Sequence, residues 1–192
     1  MKIALIPCGA TEWSEQRRLL GRAALPLSER GAQCAAAWAA KLAGAGLARI
    51  VHAPDELCRA TAKLIAKRVG ATTRADESLR EVDLGLWSGL TEDEFSARYA
   101  TSYRQLLDAP LSVSPPEGEN ISDAAERIAA GLRKRMRRNG GRPIGLVLRP
   151  IALSIARATL AGGSLSDLWN GAPLAEPLLL ACEGAAAPAS RG

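Results

Sequence analysis

Length, composition and charge set the first limits on this chain. Its 192 residues fit one domain of ordinary size, and a hydrophobic fraction of 47% is enough to fill a core. The net charge of +5 favours anionic partners, such as phosphates or nucleic acids, without choosing among them. No segment is long and apolar enough to span a bilayer, and the N-terminal apolar run is too short for a signal peptide. We therefore expect a cytoplasmic protein with no membrane association.

The cysteines argue against two other classes of protein. The four residues, Cys8, Cys34, Cys58 and Cys182, are widely spaced and include no C-x-x-C motif. This pattern fits neither a disulfide framework nor a zinc site, so we expect no metal and no cofactor. A reducing compartment is the default setting for such a chain.

The first half of the chain alternates strand and helix signals. An apolar run at 2–6 predicts a buried strand, which ends where Pro7 and Gly9 break the chain. Residues 12–27 are predicted to be irregular. Capping and stop residues then predict helices over 28–43 and 55–70, with a short strand at 50–52 between them. This alternation indicates a parallel sheet with right-handed crossover connections.

The second half continues this plan with longer loops. Residues 71–90 contain a charged stretch and then 79–89, and they read as a loop rather than a strand. Thr91 with Glu94 forms a capping box that begins a helix. Ser122 is predicted to cap a long helix that ends in basic residues, and strands are expected at 144–148 and 178–180 around a helix that begins at Pro150. We predict one α/β domain over 1–182, with three layers and a mostly parallel sheet covered by helices on both faces. An Ala-rich tail at 183–192 is expected to be disordered.

Several motifs in this order resemble a known family. The first strand leads into PCGATEW at 7–13, the central loop reads LREVDLGLWSGLTEDE at 79–94, and the late strand ends in LRP at 148–150. Their arrangement resembles the histidine phosphatase superfamily, also called phosphoglycerate mutase-like. The central loop is the most specific match.

The resemblance implies a chemistry whose residues are mostly replaced. In the family a histidine on the first strand is the nucleophile, a second histidine and two arginines hold the phosphoryl group, and a glutamate protonates the leaving oxygen. The two histidine positions map to Cys8 and Arg149, and the two arginine positions map to Pro7 and Leu57. The glutamate is kept as Glu81.

The histidine count supports the same conclusion without any alignment. The chain contains one histidine, His52, so a reaction that needs two cannot be built from it. Phosphoryl transfer depends on fixed cations around the transferred group, and two such cations are missing here. Our leading hypothesis is therefore a pseudophosphatase that binds a phosphate-bearing small molecule or a protein partner. Its oligomeric state is not evident from the sequence.

Candidate site residues follow from this hypothesis, each with an alternative. Cys8, Glu81 and Arg149 occupy the catalytic positions, and the candidate ligand-binding residues are Gly9, Thr11, Ser14, Arg18 and His52. The competing functional hypothesis is a phosphomonoester hydrolase that uses Cys8 as nucleophile, because a nearby arginine raises the thiolate fraction of a cysteine.

Structural roles compete with each of these assignments. Cys8 could be an inert replacement, and Arg149 could pair with Glu81 or Glu119 rather than with a ligand. His52 could be a hydrogen-bonded core residue, and Glu81 could fix its loop. The basic segment 133–142 lacks interleaved aromatic residues, so a solvated helix end is favoured there over nucleic-acid binding.

Overall fold

A five-stranded sheet organises the part of the chain that the structure describes. The computed structural model describes residues 1–163, 165 and 175–181. The strands are β1 (Lys2–Pro7), β2 (Arg49–His52), β3 (Thr72–Ala75), β4 (Ile144–Leu148) and β5 (Leu178–Ala181). Their order in the sheet is β3-β2-β4-β1-β5, and only β5 runs antiparallel to its neighbour. The predicted fold class is confirmed.

Helices connect and cover these strands. Within the described residues they are α1 (Glu12–Glu15), α2 (Glu29–Leu42), α3 (Glu56–Val69), α4 (Glu92–Arg98), α5 (Ala100–Asp108), α6 (Ile121–Arg138) and α7 (Pro150–Ala161). Helices α2 and α3 pack together on one face, and α6 packs on α7 on the other. Every residue of β4 is buried, as expected when both faces of a strand are covered.

Helix caps explain why several boundaries match the sequence pattern. The Ser28 side chain accepts the N–H of Gly31 at the start of α2, and the Asp55 side chain accepts the N–H of Cys58 at the start of α3. Thr91 and Glu94 form the predicted capping box of α4. Each cap satisfies a backbone donor that the first turn of a helix leaves without a partner.

Three local predictions need correction. Residues 72–75 form a parallel edge strand rather than part of a loop, and the sequence hides it because all four residues are exposed. Helix α6 is capped by Asn120 instead of Ser122, whose own N–H and hydroxyl both donate to Asn120 Oδ1. The segment after β1, predicted to be irregular, contains the short helix α1. The predicted tail at 183–192 and Cys182 lie outside the described residues.

Candidate functional site

The site lies where β1 and β4 end side by side. Pro7 is in register with Leu148, and the N–H of Cys8 donates to the Leu148 carbonyl at 2.8 Å. Cys8 is thus the first residue beyond β1, and Arg149 is the first beyond β4. Because the carboxyl ends of parallel strands meet at one edge, this edge is the expected place for a ligand.

The turn after β1 is held by two neighbouring helices. Gly9 donates its N–H to Thr61 Oγ1 on α3 at 2.9 Å, and Ala10 accepts the N–H of Ser28 before α2 at 2.9 Å. Close packing requires glycine here: a Cβ on Gly31 would lie 2.6 Å from the Ala10 nitrogen. The turn is therefore fixed in position before any ligand arrives.

Thr11 and Ser14 cap α1. Thr11 Oγ1 accepts the N–H of Ser14 at 3.1 Å, and Ser14 Oγ accepts the N–H of Thr11 at 2.8 Å. Thr11 is completely buried, whereas Ser14 is exposed. Of these two predicted ligand-binding residues, Ser14 faces open space.

An open cleft of about 500 Å³ lies over this turn. Its lining includes Cys8, Gly9 and Ser14 from the predicted set. The cleft also contains residues that the sequence did not single out, namely Glu15, Arg30, Cys34 and Trp38. Arg30 lies in the first turn of α2, so the capping signal at Ser28 could have placed it near this turn.

Two arginines in the cleft have no partner among the described residues. Neither Arg17 nor Arg30 makes a side-chain hydrogen bond or ion pair there, and both are exposed. Arg17 has a φ of 58° because it terminates the short helix α1, where its N–H donates to the Ser14 carbonyl. The acidic Glu15 accepts the hydroxyl of Ser28 at 2.7 Å. Within the part of the chain that the structure describes, the cleft that contains Cys8 therefore also presents two cations without a partner.

Arg149 is not among the described residues that line the cleft, and its guanidinium binds protein acceptors. It is 1% exposed, and its guanidinium donates to Asp55 Oδ1 at 3.1 Å and to the carbonyls of Gly21 and Ala23, each at 2.9 Å. The alternative partners suggested by the sequence, Glu81 and Glu119, are wrong. The sequence did not indicate Asp55 as the partner of Arg149, because the two residues are far apart in the chain. The presence of Asp55 was also already accounted for by its position at the start of α3.

Glu81 caps α7. Its carboxylate accepts the N–H groups of Ile151 at 3.0 Å and Ala152 at 2.9 Å, and also that of Val82 at 2.7 Å. The residue at the N-cap position, Arg149, makes no side-chain cap bond, so Glu81 satisfies donors that would otherwise be orphaned. Burial raises the pKa of Glu81 to about 7, while these three N–H donors and the nearby Arg149 oppose that shift. Glu81 does not line the described part of the cleft.

The remaining predicted residues lie outside the described cleft lining. His52 is 3% exposed, and its Nδ1 lies 2.7 Å from the Ala53 carbonyl. Arg18 donates to the Gly89 carbonyl at 2.7 Å and pairs with Glu94 at 3.2 Å, which ties the segment after α1 to the start of α4. Both residues hold the scaffold together in this structure.

The central loop is fixed by aromatic packing and by an ionic network. Trp87 is completely buried and lies 4.6 Å from Phe95, centroid to centroid. Arg22 forms ion pairs with both Asp83 and Glu119, and Arg127 forms a further ion pair with Glu119. Trp87 therefore packs the loop against α4.

A second group of cations lies at the β3 edge of the sheet. A cleft of about 500 Å³ there is lined by Arg74 of β3 and by Lys134 and Arg138 of α6, among other residues. Arg135 in the same cleft is paired with Asp76, and this pair lowers the pKa of Asp76 in spite of its partial burial. This end carries none of the family motifs.

Comparison with known proteins settles the family. The sequence profile of branch 1 of the histidine phosphatase superfamily matches residues 3–176. The chain belongs to this superfamily. A probable phosphoglycerate mutase, GpmB, from Escherichia coli O139:H28 is 31% identical over 168 residues, which cover 84% of this chain and 75% of that protein.

Solved structures agree with the fold. YhfR from Bacillus stearothermophilus superimposes with a TM-score of 0.84 and 25% identity, covering 95% of this chain and 92% of that one. A mycobacterial glucosyl-3-phosphoglycerate phosphatase in complex with VO3 gives a TM-score of 0.80 at 24% identity, covering 94% and 90% of the two chains. Among the helices described for this chain, none has the length and apolar character needed to cross a membrane.

Proposed function

We propose that this member of the superfamily has lost phosphohistidine catalysis and keeps its cleft as a binding site for a phosphate-bearing small molecule. The observation that carries the proposal is the state of the nucleophile position. Cys8 stands there, and the one histidine of the chain, His52, is buried with its ring hydrogen-bonded to Ala53. No histidine is available to accept a phosphoryl group.

The other catalytic positions support the same proposal. Pro7 and Leu57 are buried and carry no charge, and Arg149 donates to three protein acceptors. Both carboxylate oxygens of Glu81 accept hydrogen bonds from backbone N–H groups. Phosphoryl transfer is driven largely by fixed charges around the transferred group, and the described residues at these positions no longer supply them.

The cleft itself supports binding of an anion. Arg17 and Arg30 are unpaired within the described residues, and guanidinium groups suit the planar, bidentate recognition of phosphate. A volume of about 500 Å³ is typical of small-molecule sites. Several relatives are phosphatases or mutases of small phosphate esters by name, which makes the same ligand class a reasonable one here.

One observation favours a second candidate function. Cys8 lines the cleft together with Arg17 and Arg30, so a hydrolase with Cys8 as nucleophile would have two cations beside the phosphoryl group. Its weakness is the general acid, because Glu81 is buried at the end of α7. A cytoplasmic location and a single domain over 1–182 remain predictions under either function.

Two assays on the same protein separate these functions. The first measures hydrolysis of an aryl phosphate by the wild type and by Cys8→Ala. The second measures binding of inorganic phosphate and 3-phosphoglycerate by calorimetry. The proposal expects no turnover above the Cys8→Ala background, together with saturable binding. Turnover that disappears with Cys8 would establish the hydrolase instead, and absence of both turnover and binding would overturn the anion site.

A further inference from the structure

A second thiol lies close to Cys8. Cys58, in the first turn of α3, is completely buried, and its side chain interacts with that of Cys8. Cys8 is half-buried and lines the cleft on its other side. Cys8 is therefore accessible from the cleft, whereas Cys58 has no solvent exposure.

The backbone holds the two residues opposite each other. The N–H of Gly9, next to Cys8, donates to Thr61 Oγ1, and Thr61 lies one helical turn after Cys58. At the start of α3, the N–H of Cys58 donates to Asp55 Oδ1 at 3.1 Å. The Gly9–Thr61 contact thus holds the first turns of α3 against the turn after β1 and keeps the Cys58 backbone near that of Cys8.

The two thiols differ in character. Burial, followed by the interaction with Cys8, raises the pKa of Cys58 well above its ordinary value. Burial therefore favours the thiol form of Cys58. Cys34 also lines the cleft and is partly buried, but no contact between it and Cys8 or Cys58 appears among the described interactions.

We propose that Cys8 and Cys58 form a redox-active dithiol, in which a hydroperoxide oxidises the accessible Cys8 and the buried Cys58 then closes a reversible disulfide. This activity is separate from the proposed anion binding. It requires only that the cleft admits a small oxidant, and it holds whichever function the cleft has.

The chemistry balances in two steps. The Cys8 sulfur attacks the peroxide O–O bond, so that a sulfenic acid forms on Cys8 and the peroxide leaves as an alcohol, or as water when the oxidant is hydrogen peroxide. The Cys58 sulfur then attacks the Cys8 sulfur, the S–O bond breaks, and the thiol proton leaves with the hydroxyl group as water. Each thiol has lost one hydrogen, and the peroxide has taken up the two electrons. An external thiol reverses the reaction by exchange at the accessible Cys8 sulfur.

Mass spectrometry of the full chain under graded hydrogen peroxide tests this proposal. We expect a loss of two hydrogen masses, restored by dithiothreitol, and a cross-linked peptide that contains Cys8 and Cys58. Cys34→Ser is the matched control, because it removes a thiol from the same cleft and should leave the cross-link unchanged. A cross-link between Cys8 and Cys34 instead, or oxidation of Cys8 to sulfinic acid without any cross-link in the wild type, would overturn the assignment of Cys58.

Trapping of the intermediate gives a second readout that does not require the disulfide to be isolated. Dimedone labels a sulfenic acid that is not resolved by another thiol. Cys58→Ala should therefore increase dimedone labelling of Cys8 at least fivefold over the wild type, whereas Cys8→Ser should abolish it. Circular dichroism establishes that both variants are folded, and Cys58→Val replaces Cys58→Ala if the smaller side chain unfolds the protein. Equal labelling of the wild type and the Cys58 variant would show that Cys58 does not resolve Cys8.

Discussion

Arg149 and Asp55 are joined through a carboxylate oxygen that also caps a helix. Asp55 Oδ1 accepts the Arg149 Nε at 3.1 Å and the N–H of Cys58 at 3.1 Å. The end of β4 is thereby tied to the first turn of α3. The residue that the motif resemblance assigns to a catalytic position thus connects two elements of the scaffold.

Removal of the Arg149 guanidinium should destabilise the fold. Arg149→Met keeps most of the side-chain volume but leaves the Gly21 and Ala23 carbonyls and the Asp55 carboxylate without their donor. We expect the free energy of unfolding to fall by about 3 kcal/mol, since the arginine is almost completely buried. Urea unfolding at pH 7 measures the change.

The exposed Arg157 on α7 provides the control for this substitution. Arg157→Met should change the free energy of unfolding by less than about 0.5 kcal/mol. If Arg149→Met were equally mild, Arg149 would not be a structural residue, and a role toward ligand would have to be reconsidered.

Glu81 should make stability depend on pH. Its pKa in the folded chain is about 7, raised by burial from an ordinary value of 4.5. A folded-state pKa above the unfolded one means that the folded protein binds the proton more tightly. The contribution of this proton to the free energy of unfolding is fully present below about pH 4.5 and is lost as the pH rises through 7. The free energy of unfolding falls by on the order of 3 kcal/mol over this range.

A comparison of the wild type with Glu81→Gln isolates this contribution. The other titrating groups are common to both proteins, so the difference in their unfolding free energies should shift by that amount between pH 4.5 and 8 and then level off. Urea unfolding at intervals across this range provides the measurement. A difference that is constant with pH would place the folded-state pKa of Glu81 near its ordinary value.

The two cleft arginines that lack a partner among the described residues, Arg17 and Arg30, should control anion binding. Arg17→Ala and Arg30→Ala are each expected to weaken phosphate binding roughly five- to tenfold, because each removes a charge-assisted contact at a partly solvated site. The binding should also weaken as salt is added. Calorimetric titration with phosphate follows both effects.

Two exposed arginines outside the cleft test the specificity of this effect. Arg157→Ala and Arg133→Ala remove the same charge from exposed positions and should leave the phosphate affinity within about twofold of the wild type, since screening weakens distant charges. A comparable loss in these variants would mean that net charge, and not the cleft, attracts the anion.

Gly31 should tolerate no side chain. A Cβ at this position would lie 2.6 Å from the Ala10 nitrogen, and backbone cannot give way as a flexible side chain can. We expect Gly31→Ala to lower the free energy of unfolding by about 1 to 3 kcal/mol and to displace the turn that carries Cys8. Thermal unfolding and the alkylation rate of Cys8 report these two effects separately.

Gly44, at the end of the same helical segment, is the matched control. A Cβ there would meet no atom within 4 Å. Gly44→Ala should leave the melting temperature unchanged or raise it slightly. Equal destabilisation by both substitutions would contradict the close packing of the turn against α2.

The scaffold was predictable because its signals are local. Apolar runs mark β1 and β4, and Ser28, Asp55 and Thr91 mark helix starts through contacts with residues three positions away. Strand β3 carries no such signal, since it is an exposed edge whose identity comes only from pairing with β2. Local patterns therefore predicted the fold class but not every element.

The site was less predictable because its contacts are distant in sequence. The sequence placed Cys8 and Arg149 at neighbouring strand ends, and the structure has them there. It could not show that the Arg149 side chain turns toward Asp55, or that Glu81 caps α7. The direction of a long side chain depends on which buried acceptors are left without donors, and that is known only when all the surrounding segments are in place.

The position of β1 in the sheet has a consequence for folding. Ile3 is in register with Ile144 on one side and with Leu180 on the other, so among the described strands β1 pairs with two that lie far from it in sequence. Until those pairings form, the apolar residues of β1 lack their sheet neighbours, and such segments are sites of aggregation. Folding should therefore be limited by the formation of these long-range pairings.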